Sequence, residues 1–413
     1  MRKRRQKIIN GLDVGTTKIC AIIGQSSPGD DDKLTILGMG SNPSDGLKRG
    51  MVVDIDATID SIQKAVRKAE EQAGVRVRDV IVGIAGGHIS SQNSSGMIEV
   101  RYPIRGVSEQ DRQRAIDRAR QITIAKDMEI LHDYPQEFIC DDQPGYRNPI
   151  GVSCSKLEAR VHLVLASMTS VSNVVKCIKH AGLRVGDILL ESLASSLPIL
   201  SDNERDLGVM LIDIGGGTSD LAVFTRGMIK LSGVIPLGGD NITNDIAYGL
   251  KISRHDAENV KKKHARAMAD SVDADETIEV SGVLKNRPVN AKLRFLCEIT
   301  EARLEEIFIK ARKMIDAAEL HDKIYAGTVL TGGTALLPDI DELAERIFDK
   351  PAKVGAPQGL KGMSGIMQSP IYSTGIGLVL HGLSGESSNK YYSNGNILRR
   401  FSHYVQNFID WYS

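Results

Sequence analysis

The sequence predicts an α/β protein with two similar strand–glycine–strand units, and three glycine-rich passages carry that expectation. In the first, the apolar run Ile8-Ile9 leads through Leu12 to Asp13-Val14-Gly15-Thr16-Thr17-Lys18, and a second apolar run follows over Ile19–Ile23. Val209-Met210-Leu211-Ile212-Asp213-Ile214-Gly215-Gly216-Gly217-Thr218 repeats the plan near mid-chain, with Leu221–Phe224 as its returning strand. Each reads as a β-hairpin, because glycine supplies the positive φ angles of a tight turn and lets backbone approach a ligand. In the third passage the strand residues Thr328–Leu330 run into Thr331-Gly332-Gly333-Thr334, followed by a predicted helix over 339–348.

Two such hairpins facing one another present backbone N–H groups to a polyphosphate from both sides. Thr16, Thr17 and Thr218 add hydroxyl donors. The carboxylates of Asp13 and Asp213 would repel phosphate, but they suit a hydrated Mg²⁺ that bridges the phosphates, since Mg²⁺ prefers carboxylates and retains water. Taken singly, each passage is also an ordinary glycine-rich turn; two matching copies half a chain apart make the binding reading the stronger one. The glycines at 332–333 would let a flat base or sugar lie against backbone at a helix start.

A helix is expected over 253–263, capped by Ser253 with Asp256 at its third position. Glu258 and Lys261 share a face of it, and read alone they form a surface ion pair. Between the hairpins, a strand over 96–102 and a helix over 108–122, with Ser108 and Asp111 as a capping pair, mark a mixed unit followed by further strands.

At 413 residues the chain is too long for one compact domain, and 41% hydrophobic content supports real cores. Lys+Arg and Asp+Glu both number 52, so no global field attracts nucleic acid. The dense basic run is Arg2-Lys3-Arg4-Arg5 with Lys7, a tail able to lie near anionic lipid. The five cysteines are scattered without a Cys-x-x-Cys pair, which fits reduced, buried thiols rather than a disulfide frame or zinc site. No apolar run reaches spanning length and no signal-peptide core precedes the first strand, so the expected location is the cytoplasmic side of a membrane.

The membrane enters through the last residues. On a helical wheel Leu398, Phe401, Val405, Phe408, Ile409 and Tyr412 fall within an arc of roughly 100°, with Trp411 at its edge. Arg399, Arg400, His403, Gln406, Asn407 and Asp410 take the other side, and a polar Gly/Ser/Asn spacer precedes the helix. Such a helix predicts an interfacial anchor; the alternative is docking on its own domain or in a partner's groove.

Asp-x-Gly-Thr at 13–16, Asp-x-Gly-Gly-Gly-Thr at 213–218 and Thr-Gly-Gly at 331–333 resemble the phosphate and adenosine motifs of the actin, sugar-kinase and heat-shock-chaperone superfamily. Val82-Gly83-Ile84-Ala85-Gly86-Gly87-His88, Tyr134-Pro135-Gln136-Glu137-Phe138, Leu157-Glu158-Ala159-Arg160, Gly238-Gly239-Asp240-Asn241 and Tyr372-Ser373-Thr374-Gly375 are similar to the FtsA family of bacterial cell-division proteins. The resemblance implies an actin-like two-lobed ATPase fold of duplicated ribonuclease-H-like domains, with an FtsA-type inserted subdomain. It divides the chain into a tail (1–6), a first lobe (7–82 and 163–195), the insert (83–162) and a second lobe (196–245 and 295–382). A small second-lobe subdomain (246–294), a linker (383–395) and the membrane-targeting helix (396–413) complete it.

The resemblance also implies roles. Asp13, Gly15, Thr16, Thr17 and Lys18 would meet ATP phosphates from one lobe, and Gly215, Gly216, Gly217 and Thr218 from the other. Glu258, Lys261 and Lys262 would meet ribose and adenine, and Gly332, Gly333 and Thr334 the nucleoside. Asp13 and Asp213 would hold Mg²⁺ through water, while Glu191 and Asp213 would position water and metal. The family pattern has Pro after that Glu, whereas this chain has Ser192. Implied partners are the FtsZ C-terminal tail on 246–294, further copies in a filament, later division proteins on the insert, and anionic lipid. The expected function is an actin-like tether of the FtsZ ring at the division site on the inner membrane face, with at most weak ATPase activity. A pilus-assembly adaptor and a small-molecule kinase of the same superfamily are the alternatives.

Overall fold

The structure, a computed structural model, describes residues 7–384 apart from 28–29, 282–287, 360, 363–364 and 366–367. The basic tail and the anchor helix expected over 396–413 lie outside the described residues.

The duplication read from the hairpins extends to whole sheets. In the first lobe, strands Arg184–Leu190, Asp79–Ile84, Ile8–Val14, Lys18–Ser27 and Asp30–Pro43 are adjacent in that order. The hairpin strands and Asp30–Pro43 pair antiparallel, and the other two add parallel to Ile8–Val14. Ala352–Val354, Thr328–Thr331, Val209–Ile214, Ser219–Thr225 and Met228–Ile235 repeat both order and polarity in the second lobe. A short strand, Lys361–Gly362, extends the first sheet along Asp30–Pro43. Every residue of Val209–Ile214 and Ser219–Thr225 is buried, which explains why these strands read as continuous apolar runs rather than alternating ones.

Close helix packing fixes each sheet's outer face. Helix Ile55–Ala73 starts at the Asp54 cap, whose carboxylate accepts from Ala57 N, and stops at left-handed Gly74. It lies so near Asp30–Pro43 that a Cβ on Gly40 would sit 1.9 Å from Ala65 O. Helix Leu293–Ala317 buries Leu296, Leu304, Ile307 and Phe308 in the second-lobe core. Helix Ser373–Ser384 follows the second lobe in sequence but packs on the first-lobe sheet, joining Ile376 and Val379 to Ile9 and Ile22.

The insert is a separate four-stranded sheet in the order Ile89–Glu99, Lys156–Ser167, Met128–Cys140 and Gln143–Tyr146. Its helix spans Glu109–Ala119, shorter than the expected 108–122, with the Ser108–Asp111 capping box formed in both directions. The expected strand over 96–102 is corrected: the strand is Ile89–Glu99, paired along its length with Lys156–Ser167. The serine- and asparagine-rich start misled, because Ser91 and Asn93 make contacts that apolar side chains cannot. Ser91 Oγ donates to Ser232 O at 2.6 Å and Asn93 Nδ2 to Lys230 O at 3.1 Å, capping the exposed edge of second-lobe strand Met228–Ile235. All five cysteines are buried and none forms a disulfide.

Candidate functional site

The two hairpin turns meet between the lobes. In the first, Gly15 N donates to Lys18 O at 3.1 Å, and Thr16 Oγ1 accepts from Gly50 N at 2.9 Å. Lys18 Nζ donates to Ile371 O at 2.9 Å and stands 4.7 Å from the Tyr372 ring centroid, tying the hairpin to the segment before helix Ser373–Ser384. In the second, Gly215 N donates to Thr218 O at 3.0 Å. Gly239 N and Asp240 N donate to Gly215 O and Gly216 O, so helix Gly239–Leu250 begins directly behind the turn and adds its positive end.

Only glycine permits this approach. A Cβ on Gly216 would lie 2.3 Å from Thr17 Cγ2, and one on Gly217 would lie 2.5 Å from Thr16 Oγ1. The third passage closes the rear. Gly332 has φ +88 and lies under Asp213, where a Cβ would meet Oδ1 at 2.5 Å. Thr334 Oγ1 donates to Gly215 O at 3.1 Å. The expected strand-to-helix junction is corrected in detail: a short 3-10 turn, Gly333–Leu336, precedes helix Ile340–Phe348.

Helix Arg254–His264 contributes the opposite wall from its Ser253 cap. The surface ion pair expected between Glu258 and Lys261 is corrected, because Lys261 is buried. Its Nζ donates to Gly239 O at 3.0 Å and Thr243 Oγ1 at 2.7 Å, and pairs with Glu258 at 2.7 Å. Lys262 pairs with the other Glu258 oxygen at 3.0 Å. Burial alone would raise the Glu258 carboxyl, but hydrogen bonds from Lys261 and Thr243 outweigh it and hold it at about 2.

These elements enclose one cavity of about 600 Å³. Asp13, Gly15, Thr16, Thr17, Lys18, Glu191, Asp213, Gly215, Gly216, Gly217, Thr218, Glu258, Lys261, Lys262, Gly332, Gly333 and Thr334 all line it. Every residue singled out for this site from sequence therefore reaches the same space. The volume suits a nucleotide-sized ligand, for which pockets of roughly 300–1,000 Å³ are usual.

The floor is acidic. Burial pushes the Asp13 carboxyl up to about 6, with Lys18 pulling it down and Asp213 pushing it further up. Burial also raises Asp213, against hydrogen bonds from Thr374 and Ser195. Glu191 and Asp220 rise well above the carboxylate range, first through burial and then through the neighbouring acids. Charge of one sign in a dry floor is costly unless a cation shares it. Among the described residues no three His, Cys, Asp or Glu side chains gather closely enough to ligate a metal directly, so a cation here would be held partly through water.

Sequence reasoning missed Asp220 and Thr374. Asp220 is buried, Thr218 Oγ1 donates to its Oδ2 at 3.1 Å, and its Oδ1 has no partner among the described residues. Its placement two residues beyond Thr218 on the returning strand was the available signal, since alternate strand positions share a face. Thr374, which donates to Asp213 Oδ2 at 3.0 Å, comes from helix Ser373–Ser384; its motif was noted for the family resemblance, but nothing local tied it to the site.

The comparisons with known proteins agree with this architecture. The family model for cell division protein FtsA matches residues 210–377, and that for the SHS2 domain inserted in FtsA matches residues 86–165. The cell division protein FtsA of Pseudomonas aeruginosa is 42% identical over 381 residues, covering 92% of this chain and 90% of the relative. That of Neisseria meningitidis serogroup B is 40% identical, with 96% and 95% covered, and that of Escherichia coli K12 is 34% identical, with 92% and 93% covered. Among solved structures, the PilM–PilN type IV pilus biogenesis complex superposes with a TM-score of 0.66 at 16% identity, covering 91% of this chain and 98% of that one. MreB5 of Spiroplasma citri bound to ADP gives 0.54 at 16% identity, covering 93% and 97%. These structural likenesses carry the fold, which is actin-like with an inserted SHS2 domain. The chain belongs to the cell division protein FtsA family.

Proposed function

We propose that this chain binds ATP in the inter-lobe cavity and works as an actin-like tether, polymerising on the inner face of the membrane and holding the FtsZ ring there. The observation that carries the nucleotide reading is the meeting of two glycine hairpins above buried Asp13 and Asp213. It is supported by the solved neighbours MreB5, bound to ADP and to AMPPNP.

In this reading the N–H groups of Gly216 and Gly217, with the hydroxyls of Thr16 and Thr17, hold the polyphosphate, and Gly215 and Thr218 shape the turn that presents them. Gly332, Gly333 and Thr334 lie against the nucleoside, while Lys261 and Lys262, fixed by Glu258, face the ribose and base. Asp13 and Asp213 hold hydrated Mg²⁺, which supplies neutralising charge to the phosphates. Glu191 is the candidate to orient attacking water. Burial, and then the neighbouring Asp13, Asp220 and Asp213, raise its carboxyl well above the ordinary glutamate value. Asp220 serves as an additional outer-sphere carboxylate.

The membrane and partner assignments extend the family reading. The segment 396–413, expected from its sequence to be an amphipathic helix, supplies the lipid contact, the small subdomain over 246–294 receives the FtsZ tail, and the insert receives later division proteins. One short helix binds lipid weakly, so assembly into filaments raises avidity by presenting many at once. In the full-length protein, Trp411→Glu or Phe408→Glu is expected to abolish co-sedimentation with anionic liposomes while fluorescent-ATP binding is retained. Undiminished sedimentation would remove the anchor from the proposal.

A further inference from the structure

A second charged cleft lies where the insert meets the second lobe. Two adjoining hollows, of about 170 and 410 Å³, share Glu137, Asp206, Arg226 and Lys230 in their walls. Arg147 of the insert closes one end, with Nη2 donating to Asp206 Oδ1 and to Arg226 O, both at 2.8 Å. Lys323 and Tyr325 of the second lobe form the other.

The charges are unevenly matched. Glu137 is occupied by Arg160 at 2.9 Å and Asp206 by Arg147 at 2.8 Å. Arg226, Lys230 and Lys323 remain, and among the described residues none has a side-chain ion pair or hydrogen bond. Lys230 is the informative member. It is half-buried on the edge strand, and burial holds its ammonium below the usual lysine range; Glu137 opposes this, while Arg226, Arg160 and Lys323 add to it. A desolvated ammonium facing two further unpaired cations is unfavourable alone and becomes favourable when an anion lies among them.

Arg226 sits in a left-handed turn at φ +51 and lines both hollows. We propose that this cleft is an anion site for a compact phosphate-bearing ligand, bound by Arg226, Lys230 and Lys323 at the seam between insert and second lobe. A doubly charged phosphoryl group is favoured over a single carboxylate because one ligand must neutralise three neighbouring cations. The site is separate from the nucleotide cavity and does not depend on it. It places a small-molecule input against the insert, the surface proposed above to receive division partners.

Sodium pyrophosphate titrated calorimetrically into the full-length, metal-free protein is the test. Lys230→Met and Lys323→Met are each expected to weaken binding about tenfold, as for loss of one charge-assisted contact, and Gly216→Val to leave this event in place. Lys323 is exposed, so its variant keeps the measurement informative if Lys230→Met perturbs folding. Hydrogen exchange with pyrophosphate should show protection over 226–230 and 321–325. Inorganic phosphate, ADP and inositol trisphosphate, compared in the same format, distinguish a free phosphate, a nucleotide and a lipid headgroup as the source. Binding lost in Gly216→Val but intact in both lysine variants would place pyrophosphate in the nucleotide cavity and overturn the proposal. Absence of binding, or capture of an oligo-aspartate peptide in preference to every phosphate probe, would overturn it as well.

Discussion

His162 of the insert and Ser232 of the second-lobe edge strand are hydrogen-bonded at 2.8 Å, ring nitrogen Nε2 to hydroxyl, in a buried seam. The other ring nitrogen contacts Asn93 Oδ1 at 2.7 Å, and Gln136 Nε2 donates to that same oxygen and to Ile229 O. Asn93 Oδ1 can only accept, so His162 carries its proton on Nδ1, and Nε2 accepts from Ser232. The seam joins a domain that grows from the first lobe to the sheet of the second.

His162→Ala should therefore destabilise the protein by about 1–3 kcal/mol, because it leaves the Ser232 hydroxyl buried with an unmet hydrogen bond. Urea denaturation of the single variants and of the His162→Ala/Ser232→Ala double variant checks this. The double variant should cost less than the sum of the singles, since both remove the same bond.

The same histidine gives a pH signature. Burial pushes His162 down to about 3, and His88 and His132 down to about 4. Each is neutral in the fold and protonates in the unfolded chain near its ordinary value. Their contribution is complete above about pH 6.5 and is lost as pH falls through the folded values. Between pH 6 and pH 4 the slope of unfolding free energy against pH should fall by about 1.4 kcal/mol per pH unit in His162→Gln, one proton's worth. An unchanged slope would mean that His162 is protonated in the fold.

The acidic floor has the opposite sign. Asp13, Asp213, Glu191 and Asp220 all have raised folded values, so they weaken the empty fold as pH rises above their unfolded values. Asp220→Asn should raise the nucleotide-free melting temperature at pH 8 by a few degrees, on the order of 1–2 kcal/mol. It should also weaken the dependence of ATP binding on Mg²⁺. Thermal scans with and without Mg²⁺·ATP read both effects, and a lower nucleotide-free melting temperature would contradict the argument.

Gly216→Val probes the hairpin contact. Because the Cβ position lies 2.3 Å from Thr17, the turns must part or Thr17 must move. ATP affinity should fall by about 100-fold or more, the scale of losing two or more phosphate contacts, with far-ultraviolet circular dichroism unchanged. Fluorescent-nucleotide titration measures it.

The hairpins were legible in sequence because turn chemistry is local: Asp13, Gly15, Asp213 and Gly215 lie within a few residues of the strands they end. The duplication into two lobes came from the family resemblance that these motifs carry. Ile89–Glu99 was not legible, since its polar Ser91 and Asn93 are satisfied by a strand more than a hundred residues away in sequence. Glu258–Lys261 was recognised as a pair, but its burial depends on Thr243 and Gly239 on another helix. Asp220 had the spacing of a site residue on a strand whose neighbours are apolar, and only the closed cleft gives it a chemical context.

The seam at Ser91, Asn93, Gln136 and His162 makes the insert a strut between the two walls of the inter-lobe cavity, the proposed nucleotide clamp. Any rotation of one lobe against the other must either drag the insert along or break bonds to Ser232, Lys230 and Ile229. A protein bound to the insert and a nucleotide bound in the cleft would then push on the same hinge from opposite ends. By thermodynamic reciprocity, whatever stiffens that strut alters the grip on the nucleotide by the same factor that the nucleotide alters the grip on its partner.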